Sequence, residues 1–530
     1  MNKYFRFLLL LTFLSVVIVQ ASIVVRNESI PQNDNLSDYP IYVDSYRASI
    51  KDREGEVLVG SNYNYIIYLD NSVLSDNQVK DTLENLASVS NMDSQTLLDK
   101  YNSSTNNGKT RRSEINLGTI PESAVNNIKS STLNFDGLAI ATKTARSYAV
   151  ATEDLAHTLG IYSVEGNSSG LEGYYNKTIG NDQVASLQIS ISQEINQQIF
   201  DLFKANMNAN NITAGSFIVL DINSGNRVYS VVNYPSFELS KIIKNEYYTT
   251  LMGDESLPIL NRAISGSYPT GSIMKPFSAL ALLENSAITD QTTYFSEGVY
   301  ELPGGIEFPE YTKQPYGSLN VVEALRKSSN IFFCKAVEKI DYNLIANFQS
   351  YIGLGKFTGI DLVGEESGNL ASPMYKKNLN QNWYLGDSCN SIIGQGYNLL
   401  TPIQMVTSLS TILTNKSCNP KVVESIQYNS GQAVELTSNC SQLNIEKSNI
   451  EIVKKGMRAA AINVGFSTYD IGLKTGTAEV SNLEKPHVWV LGFYPYEEPR
   501  YAFVVMAENG DKTKILLDFI KTILDKKYLI

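Results

Sequence analysis

The first part of the chain switches between strand-like and helix-like patterns of hydrophobic residues. Apolar and polar positions alternate along residues 46–74, around a turn at residues 54–56, and this pattern predicts a β-hairpin. Residues 77–101 carry apolar positions at helical spacing, whereas residues 102–114 are polar and predict a loop. A mixed pattern of helices and strands continues to about residue 180.

The remaining chain predicts a sheet whose strands are distant in sequence. Residues 186–211 predict a helix, and residues 214–237 predict a hairpin of two apolar strands. Residues 487–510 predict two further strands, and residues 512–527 predict an amphipathic helix. Because a block of predicted helices lies between these strands, the pattern is typical of an α+β fold.

The N-terminus predicts a membrane segment. Residues 7–25 are apolar and uncharged, and a helix of that length, at about 1.5 Å per residue, nearly spans a hydrocarbon core of about 30 Å. The positively charged residues 1–6 favour an anchor whose short end stays in the cytoplasm. The alternative is a cleaved signal peptide, because Val19-Gln20-Ala21 has small residues near the required spacing.

Composition and charge narrow the class of protein. The 530 residues are 43% hydrophobic and 18% charged, which is enough apolar material for a globular core. A net charge of −11 without a basic block gives no support for nucleic-acid binding. Four cysteines are too few for a disulfide framework in a chain of this length, so either four buried thiols or a Cys418–Cys440 disulfide is compatible with the sequence.

The stretch Tyr268–Glu284 places a hydroxyl and an amine at the start of a helix. Pro276 is tolerated only in a first helical turn, so the helix is predicted to begin near Ser272. Ser272 and Lys275 are three positions apart and share one helix face. A desolvated, neutral lysine there can take the serine proton, while the simpler alternative is a serine N-cap followed by a surface lysine.

Two further stretches carry candidate chemistry. Ser328, Ser329 and Asn330 interrupt a helical run, where Ser328 can relay a proton and Asn330 can bind a substrate amide, with helix capping as the alternative. The segment Lys474–Thr477 precedes a strongly predicted strand that begins at His487. A lysine, hydroxyls and a glycine on one strand suit the addition of an extended peptide as a new strand, with a lysine-protected edge as the alternative.

In the order S-x-x-K, S-x-N, K-T-G, these stretches resemble the penicillin-binding proteins and the serine β-lactamases. Longer segments resemble the transpeptidase domain of a penicillin-binding protein: YPTGSIMKPFSALALLE, SLNVVEALRKSSNIFF, IIGQGYNLLTPIQMV, LKTGTAEV and HVWVLGFYP. Upstream, RASIKDREGEVLV and GLEGYYNKTIGN resemble the non-catalytic domain of the class B, monofunctional members.

The apolar N-terminal run and the resemblance together predict four parts of the chain. Residues 1–6 are a short cytoplasmic end, and residues 7–25 are a transmembrane anchor. Residues 26–185 form a non-catalytic, dimerisation-like pedestal of mixed α/β structure. Residues 186–530 form an α+β domain of the serine transpeptidase and β-lactamase type, an antiparallel sheet with flanking helices.

The resemblance also implies how the reaction runs. Ser272 is acylated by a peptidoglycan stem peptide that ends in D-Ala-D-Ala, D-Ala leaves, and an amine from a neighbouring stem peptide closes the cross-link. Lys275 is the general base, and Ser328 and Lys474 carry the proton to the leaving amine. β-Lactams acylate the same Ser272.

Substrate binding falls to a second group of residues. Asn330 holds a substrate amide, and Thr475, Gly476 and Thr477 bind the region of the terminal carboxylate. The backbone N–H groups of Ser272 and Thr477 form the oxyanion hole. The family needs no cofactor or metal. It works outside the cytoplasmic membrane on a single-pass anchor, and its class B members partner a membrane glycan polymerase.

Other functions share these motifs. In a β-lactamase, water rapidly hydrolyses the acyl-enzyme that the β-lactam forms. In a D,D-carboxypeptidase, water replaces the amine as the acceptor of the stem peptide. The anchor and the upstream domain favour a cell-wall enzyme over a β-lactamase, and the D,D-carboxypeptidase is the nearer alternative. Outside the enzymes, a β-lactam sensor or an inactive scaffold shares this domain type. A sensor needs several membrane spans, and the complete set of motifs counts against a scaffold.

A metal site is an alternative use of four other residues. By the resemblance, Asp387 and Cys389 lie near Cys334, and His487 would complete a set of zinc ligands. We favour buried thiols and a structural histidine, because the spacing matches no local zinc pattern.

Overall fold

The computed structural model describes residues 47–112, 114–149, 152–163, 168–242, 245–479 and 485–529. The predicted anchor over residues 7–25 lies outside this set. Among the described residues, the helices are all too short or too polar to span a membrane. The described residues divide into two compact units, the first from within residues 63–144 and the second from within residues 47–62 and 145–529.

The strands and helices in the described part of the chain are numbered in chain order. The strands are β1 (Ser49–Lys51), β2 (Val57–Leu69), β3 (Ile115–Ile120), β4 (Leu138–Tyr148), β5 (Val184–Ile189), β6 (Gly215–Asp221), β7 (Arg227–Tyr234), β8 (Tyr294–Ser296), β9 (Val299–Leu302), β10 (Ile306–Pro309), β11 (Gly317–Leu319), β12 (Lys416–Cys418), β13 (Val423–Tyr428), β14 (Ala433–Glu435), β15 (Cys440–Gln442), β16 (Gly472–Ala478), β17 (His487–Tyr494) and β18 (Tyr501–Ala507). The α-helices are α1 (Asp76–Ser90), α2 (Ser94–Thr105), α3 (Glu122–Ser130), α4 (Ala156–Leu159), α5 (Gly170–Tyr174), α6 (Asn176–Ile179), α7 (Gln193–Ala209), α8 (Asn245–Met252), α9 (Lys275–Glu284), α10 (Val321–Lys327), α11 (Asn330–Val337), α12 (Tyr342–Tyr351), α13 (Pro373–Asn378), α14 (Leu385–Ile392), α15 (Pro402–Thr414), α16 (Lys447–Asn463) and α17 (Lys514–Asp525). Two 3₁₀ helices span Leu239–Lys241 and Gly271–Met274.

The first unit packs α1, α2 and α3 around strands β3, β4 and the later half of β2. The helical pattern over residues 77–101 forms two helices, because Asn91 takes a left-handed conformation that ends α1. Ser75 and Asp93 cap the two helices with their side chains. The predicted loop over residues 102–114 is wrong in its first part, since α2 continues to Thr105, whose hydroxyl donates back to Tyr101 O.

The second unit is built on a five-stranded antiparallel sheet in the order β16-β17-β18-β6-β7. Its strands are apolar on both faces because both faces are covered. Along β6, Phe217 and Val219 belong to one buried cluster, whereas Ile218 and Leu220 belong to another. Strands from both ends of this region therefore share one sheet, which confirms that part of the α+β prediction, and both predicted hairpins form.

A second sheet in this unit corrects one predicted helix. The β1–β2 hairpin forms as predicted, and β1 also pairs in parallel with β5, which pairs in turn with β13. The start of the helix predicted over residues 186–211 is wrong, because residues 184–189 are β5 and α7 begins at Gln193. Leu187 and Ile189 are fully buried, so pairing with β1 and β13 overrides the local helical spacing.

Disulfides replace the expected free thiols. Cys418 pairs with Cys440 between β12 and β15, which the sequence allowed. Cys334 of α11 pairs with Cys389 of α14, so the prediction of four free thiols is wrong. Two thiols joined in a disulfide are not available as zinc ligands. Among the described residues, no group of His, Cys, Asp and Glu is arranged to hold a metal ion.

Candidate active site

Ser272 lies in the 3₁₀ turn Gly271–Met274, directly before α9. Pro276 occupies the first turn of α9, which confirms the predicted start of the helix. The segment is held by its backbone: Gly271 N donates to Gly394 O over 2.9 Å, and Trp489 Nε1 donates to Pro269 O over 3.2 Å. Ser272 itself is half-buried, whereas its neighbours Gly271 and Ile273 are buried.

Lys275 is fully buried, and its amine contacts the S-x-N segment. Its Nζ donates to Ser328 O over 2.6 Å and to Asn330 Oδ1 over 2.7 Å, and lies 3.3 Å from Ser328 Oγ. An ammonium group has three N–H donors, whereas a neutral amine has two and a lone pair. The two short bonds use both donors of a neutral amine, and Ser328 Oγ is the third polar atom within reach of the nitrogen.

Ser328 has an unusual backbone conformation that explains the break in helical periodicity. Its φ is 58°, in the left-handed region, and it separates α10 from α11. Ser329 then caps α11, since its hydroxyl accepts from Phe332 N over 3.1 Å. This turn aims both Ser328 Oγ and Asn330 at the amine of Lys275. Ser329 therefore acts as the helix cap, whereas Ser328 and Asn330 on either side of it contact Lys275.

Lys474 enters the same network from β16, an edge strand of the large sheet. Its Nζ donates to Ser328 Oγ over 2.9 Å and to Thr475 O over 2.8 Å, although the residue is 1% exposed. Gly476 allows β16 to approach the serine segment, because a Cβ at this position would lie 3.0 Å from Thr270 O. Thr475 and Thr477 are half-buried.

Burial sets the protonation of the two lysines. Desolvation lowers the pKa of Lys275 to about 7, against an opposing effect of the Glu310 carboxylate. Desolvation also lowers the pKa of Lys474 well below its usual value, and the nearby charge of Lys275 adds to this effect. A neutral Lys275 is therefore well populated near neutral pH, as a general base requires.

The structure brings the three motifs together. Hydrogen bonds connect Lys275, Ser328, Asn330 and Lys474, and Ser272 lies one turn before Lys275. The residues of the rejected metal site have other partners. His487 Nδ1 accepts from Asn509 N over 3.2 Å, which fits the structural role expected for it, and Asp387 forms an ion pair with Lys376 at 2.9 Å.

Sequence reasoning missed Glu310. This residue is 1% exposed, and its carboxylate accepts hydrogen bonds from Asn330 N over 2.6 Å and from the hydroxyls of Ser296 and Ser329. Glu310, the second glutamate of the segment EFPEYTK, has no spacing signal that links it to the S-x-N motif. Its burial depends on the tertiary fold.

Curated relatives share part of this chain. It is 28% identical over 403 residues to the peptidoglycan D,D-transpeptidase MrdA of Escherichia coli strain K12, which covers 70% of this chain and 62% of the relative. It is 30% identical over 315 residues to MrdA of Salmonella typhimurium strain LT2, covering 53% of this chain and 50% of the relative. The chain thus spans less than two thirds of the length of these relatives.

Solved structures show the same fold. The penicillin-binding protein PBP2 in its complex with MreC from Helicobacter pylori is 24% identical, with a TM-score of 0.72 over 92% of this chain and 98% of that chain. Pseudomonas aeruginosa PBP2, in complex with WCK 5153, is 21% identical, with a TM-score of 0.66 over 93% of this chain and 97% of that chain.

Family profiles match most of the chain. The penicillin-binding protein dimerisation domain matches residues 42–188. The penicillin-binding protein transpeptidase domain matches residues 215–523, more than half of the chain and the part that holds the lysine network. The chain therefore belongs to the penicillin-binding protein transpeptidase family.

Proposed function

We propose that this protein is a serine D,D-transpeptidase that cross-links the stem peptides of peptidoglycan. The observation that carries the proposal is the hydroxyl of Ser328 between two buried lysine amines, one of which lies one helical turn after the half-buried Ser272. A buried neutral amine activates a serine hydroxyl, and a second amine with a linking hydroxyl moves the proton onward. The curated relatives named peptidoglycan D,D-transpeptidase support the same activity.

In the first half of the reaction, Ser272 Oγ attacks the carbonyl carbon of the penultimate D-Ala while Lys275 Nζ takes its proton. The N–H groups of Ser272 and Thr477 stabilise the oxyanion, and such a donor contributes about 3–4 kcal/mol. The proton then passes through Ser328 Oγ, with Lys474 beside it, to the leaving nitrogen. The amide C–N bond breaks, D-Ala departs, and an ester on Ser272 remains.

In the second half, an amine of a neighbouring stem peptide attacks the ester carbonyl. A new amide bond forms, the ester C–O bond breaks, and Ser272 Oγ recovers a proton. Asn330 and the segment Thr475–Thr477 hold the donor peptide, which can lie along β16 because this strand is at the edge of the sheet. A β-lactam carbonyl reacts with the same hydroxyl. Residues of this chain supply the nucleophile, the base and the proton relay, and the substrates supply the leaving and attacking amines.

The proposal includes the setting of the enzyme. Residues 7–25 anchor the chain in the membrane, residues 26–185 form a pedestal, and residues 186–530 carry the chemistry outside the cytoplasm. The apolar run of the anchor and the two family profiles support this division. A membrane glycan polymerase is the proposed partner. One similar fold comes from a structure titled structural coordination of polymerization and crosslinking by a peptidoglycan synthase complex, with a TM-score of 0.69.

A product assay tests the proposed activity. The detergent-solubilised full chain is incubated with a D-Ala-D-Ala stem peptide and an amine acceptor, and the products are measured by mass spectrometry. We expect D-Ala and the cross-linked amide in equal amounts from the parent and neither product from Ser272→Ala. D-Ala with only a hydrolysed peptide would instead indicate a carboxypeptidase, and fast hydrolysis of penicillin would indicate a β-lactamase.

A further inference from the structure

Glu310 is a buried carboxylate beside the candidate site. It directly follows β10, and its backbone is fixed at both ends: its N–H donates to Gly298 O, and its carbonyl accepts from Lys313 N, each over 2.9 Å. With 1% of its surface exposed, the side chain is shielded from water. Burial of a carboxylate costs desolvation free energy unless hydrogen bonds compensate it, so the groups that Glu310 binds indicate its role.

The carboxylate and the preceding carbonyl together fix Asn330. Glu310 Oε2 accepts from Asn330 N over 2.6 Å, and Pro309 O accepts from Asn330 Nδ2 over 3.0 Å. Because the amide nitrogen of Asn330 is held by Pro309, its Oδ1 must face the other way, toward Lys275 Nζ at 2.7 Å. Pro309 O therefore sets the orientation of the amide that contacts Lys275, while Glu310 fixes the backbone of the same asparagine.

The other carboxylate oxygen supports the same turn. Glu310 Oε1 accepts from Ser296 Oγ over 2.8 Å and from Ser329 Oγ. Ser329 is the N-cap of α11 and follows Ser328, whose φ is 58°. A non-glycine residue in this region persists only where its surroundings hold it. The hydrogen bonds of Glu310 to Ser329 and Asn330 supply this restraint.

Glu310 also acts on Lys275 through its charge. The charged groups that bear on the Lys275 amine are Glu310, from the segment after β10, and Lys474, from β16. The negative carboxylate opposes the effect of burial and keeps the Lys275 pKa from falling further. Loss of this charge would lower the pKa of Lys275.

We propose that Glu310 is a positioning residue for the acylation step, which fixes Ser328 and Asn330 around the amine of Lys275 and holds a negative charge near it. The proposal rests on the proposed function. Glu310 touches neither the substrate nor Ser272, and it acts through the turn at residues 328–330 and through the electrostatics of Lys275.

The test compares Glu310→Gln, Glu310→Asp and the control Glu365→Gln in the full chain. Glu365 is chemically matched, since its carboxylate accepts from a hydroxyl and from the backbone N–H groups of Thr358 and Gly359, yet it takes no part in the lysine network. The second-order rate of acylation by fluorescent penicillin is measured from pH 5.5 to 9, with thermal unfolding of each variant as the check on folding.

We expect Glu310→Gln to slow acylation by about 100-fold, the effect of a small misplacement of reacting groups. The pH at which the acylation rate falls in acid, the acid limb of the pH–rate profile, should also move lower. The reason is that an uncharged residue at position 310 no longer stabilises the protonated amine of Lys275. Glu310→Asp keeps the charge, so its acid limb should stay near that of the parent. Glu365→Gln should match the parent in both the acylation rate and the acid limb of the pH–rate profile.

Two results would overturn the inference. One is a folded Glu310→Gln variant with the parental rate, and the other is a slowed variant whose acid limb has not moved, since that pattern indicates a purely structural role. Failure of the proposed function looks different, because Ser272→Ala would then still be labelled in the same assay.

Discussion

Lys474 Nζ donates to Ser328 Oγ over 2.9 Å, which joins two motifs that are 146 residues apart in the sequence. The same oxygen is 3.3 Å from Lys275 Nζ, so one hydroxyl links two fully or almost fully buried amines. Two protonated amines at this spacing would repel each other in a poorly solvated site. The arrangement therefore favours a neutral amine, which is the form that the proposed activation of Ser272 uses.

Removal of the linking hydroxyl should slow acylation. We expect Ser328→Ala to reduce the acylation rate by about 10²- to 10⁴-fold, the range typical of a lost proton-transfer group, while the protein stays folded. The measurement is the rate of labelling by fluorescent penicillin. Ser408→Ala is the control, because Ser408 is a buried helical serine whose hydroxyl has no hydrogen-bond partner within the described chain. Equal rates for the two variants would contradict the role of Ser328.

Acylation should depend on pH through Lys275. Its pKa is lowered to about 7 by desolvation, so the amine is mostly protonated below pH 7 and mostly neutral above it. The acylation rate should therefore rise between about pH 6 and pH 8 and then level off. Lys275→Arg, which keeps a positive charge at every pH, should remove acylation. A rate independent of pH over this range, or an active arginine variant, would refute the assignment of Lys275 as base.

Gly271 sets the distance between the serine segment and β16. Its φ is +52°, and a Cβ here would lie 2.6 Å from Thr477 O. Gly271→Ala should cost about 1–2 kcal/mol of backbone strain and should push β16 away from Ser272, which slows acylation. Gly431→Ala is the matched control, since its φ is +85° and no atom lies within 4 Å of the added Cβ. Chemical denaturation measures the cost of backbone strain, which both variants share, and the acylation rate measures the displacement of β16. Acylation of Gly271→Ala at the parental rate would contradict the close approach of the two segments.

The Cys334–Cys389 disulfide should support the site as well as the fold. It joins α11, which begins at Asn330, to α14 across 55 residues, and its loss should cost about 4 kcal/mol in the chain-entropy estimate. The Cys418–Cys440 disulfide closes only 22 residues and should cost about 3 kcal/mol. We expect the double alanine variant of each pair to unfold at lower denaturant.

Acylation distinguishes the two disulfides. The first double variant should also react more slowly with penicillin, because α11 carries Asn330, whereas the second should react at the parental rate. If both double variants keep the parental rate while losing stability, the Cys334–Cys389 disulfide has no part in shaping the site.

Sequence reasoning reached the family and the three motifs because their chemistry is encoded locally. Pro276 fixes the start of α9, and the Ser-Ser-Asn triplet breaks a helical run where the structure has the left-handed Ser328. The strands from both ends of the second unit also show clear apolar patterns, and they form one sheet. The roles assigned to the individual site residues stay predictions.

What the sequence could not predict depends on contacts between distant segments. Glu310 becomes a hydrogen-bond acceptor for Asn330 only because the segment after β10 lies against the start of α11. The Cys334–Cys389 disulfide forms because helices α11 and α14 lie side by side, and the spacing of the cysteines in the sequence does not predict this pairing. Residues 186–189 carry a helical pattern but pair as a strand with β1 and β13.

The most direct test of the central claim is the intact mass of the protein after reaction with penicillin. The full chain and its Ser272→Ala variant are each incubated with benzylpenicillin at neutral pH, and the masses are followed over time. We expect the parent to gain the mass of one penicillin on the peptide that contains Ser272, and we expect this adduct to persist. The variant should gain no mass. An adduct on the Ser272→Ala variant, or no adduct on the folded parent, would contradict the assignment of Ser272 as the acylated residue.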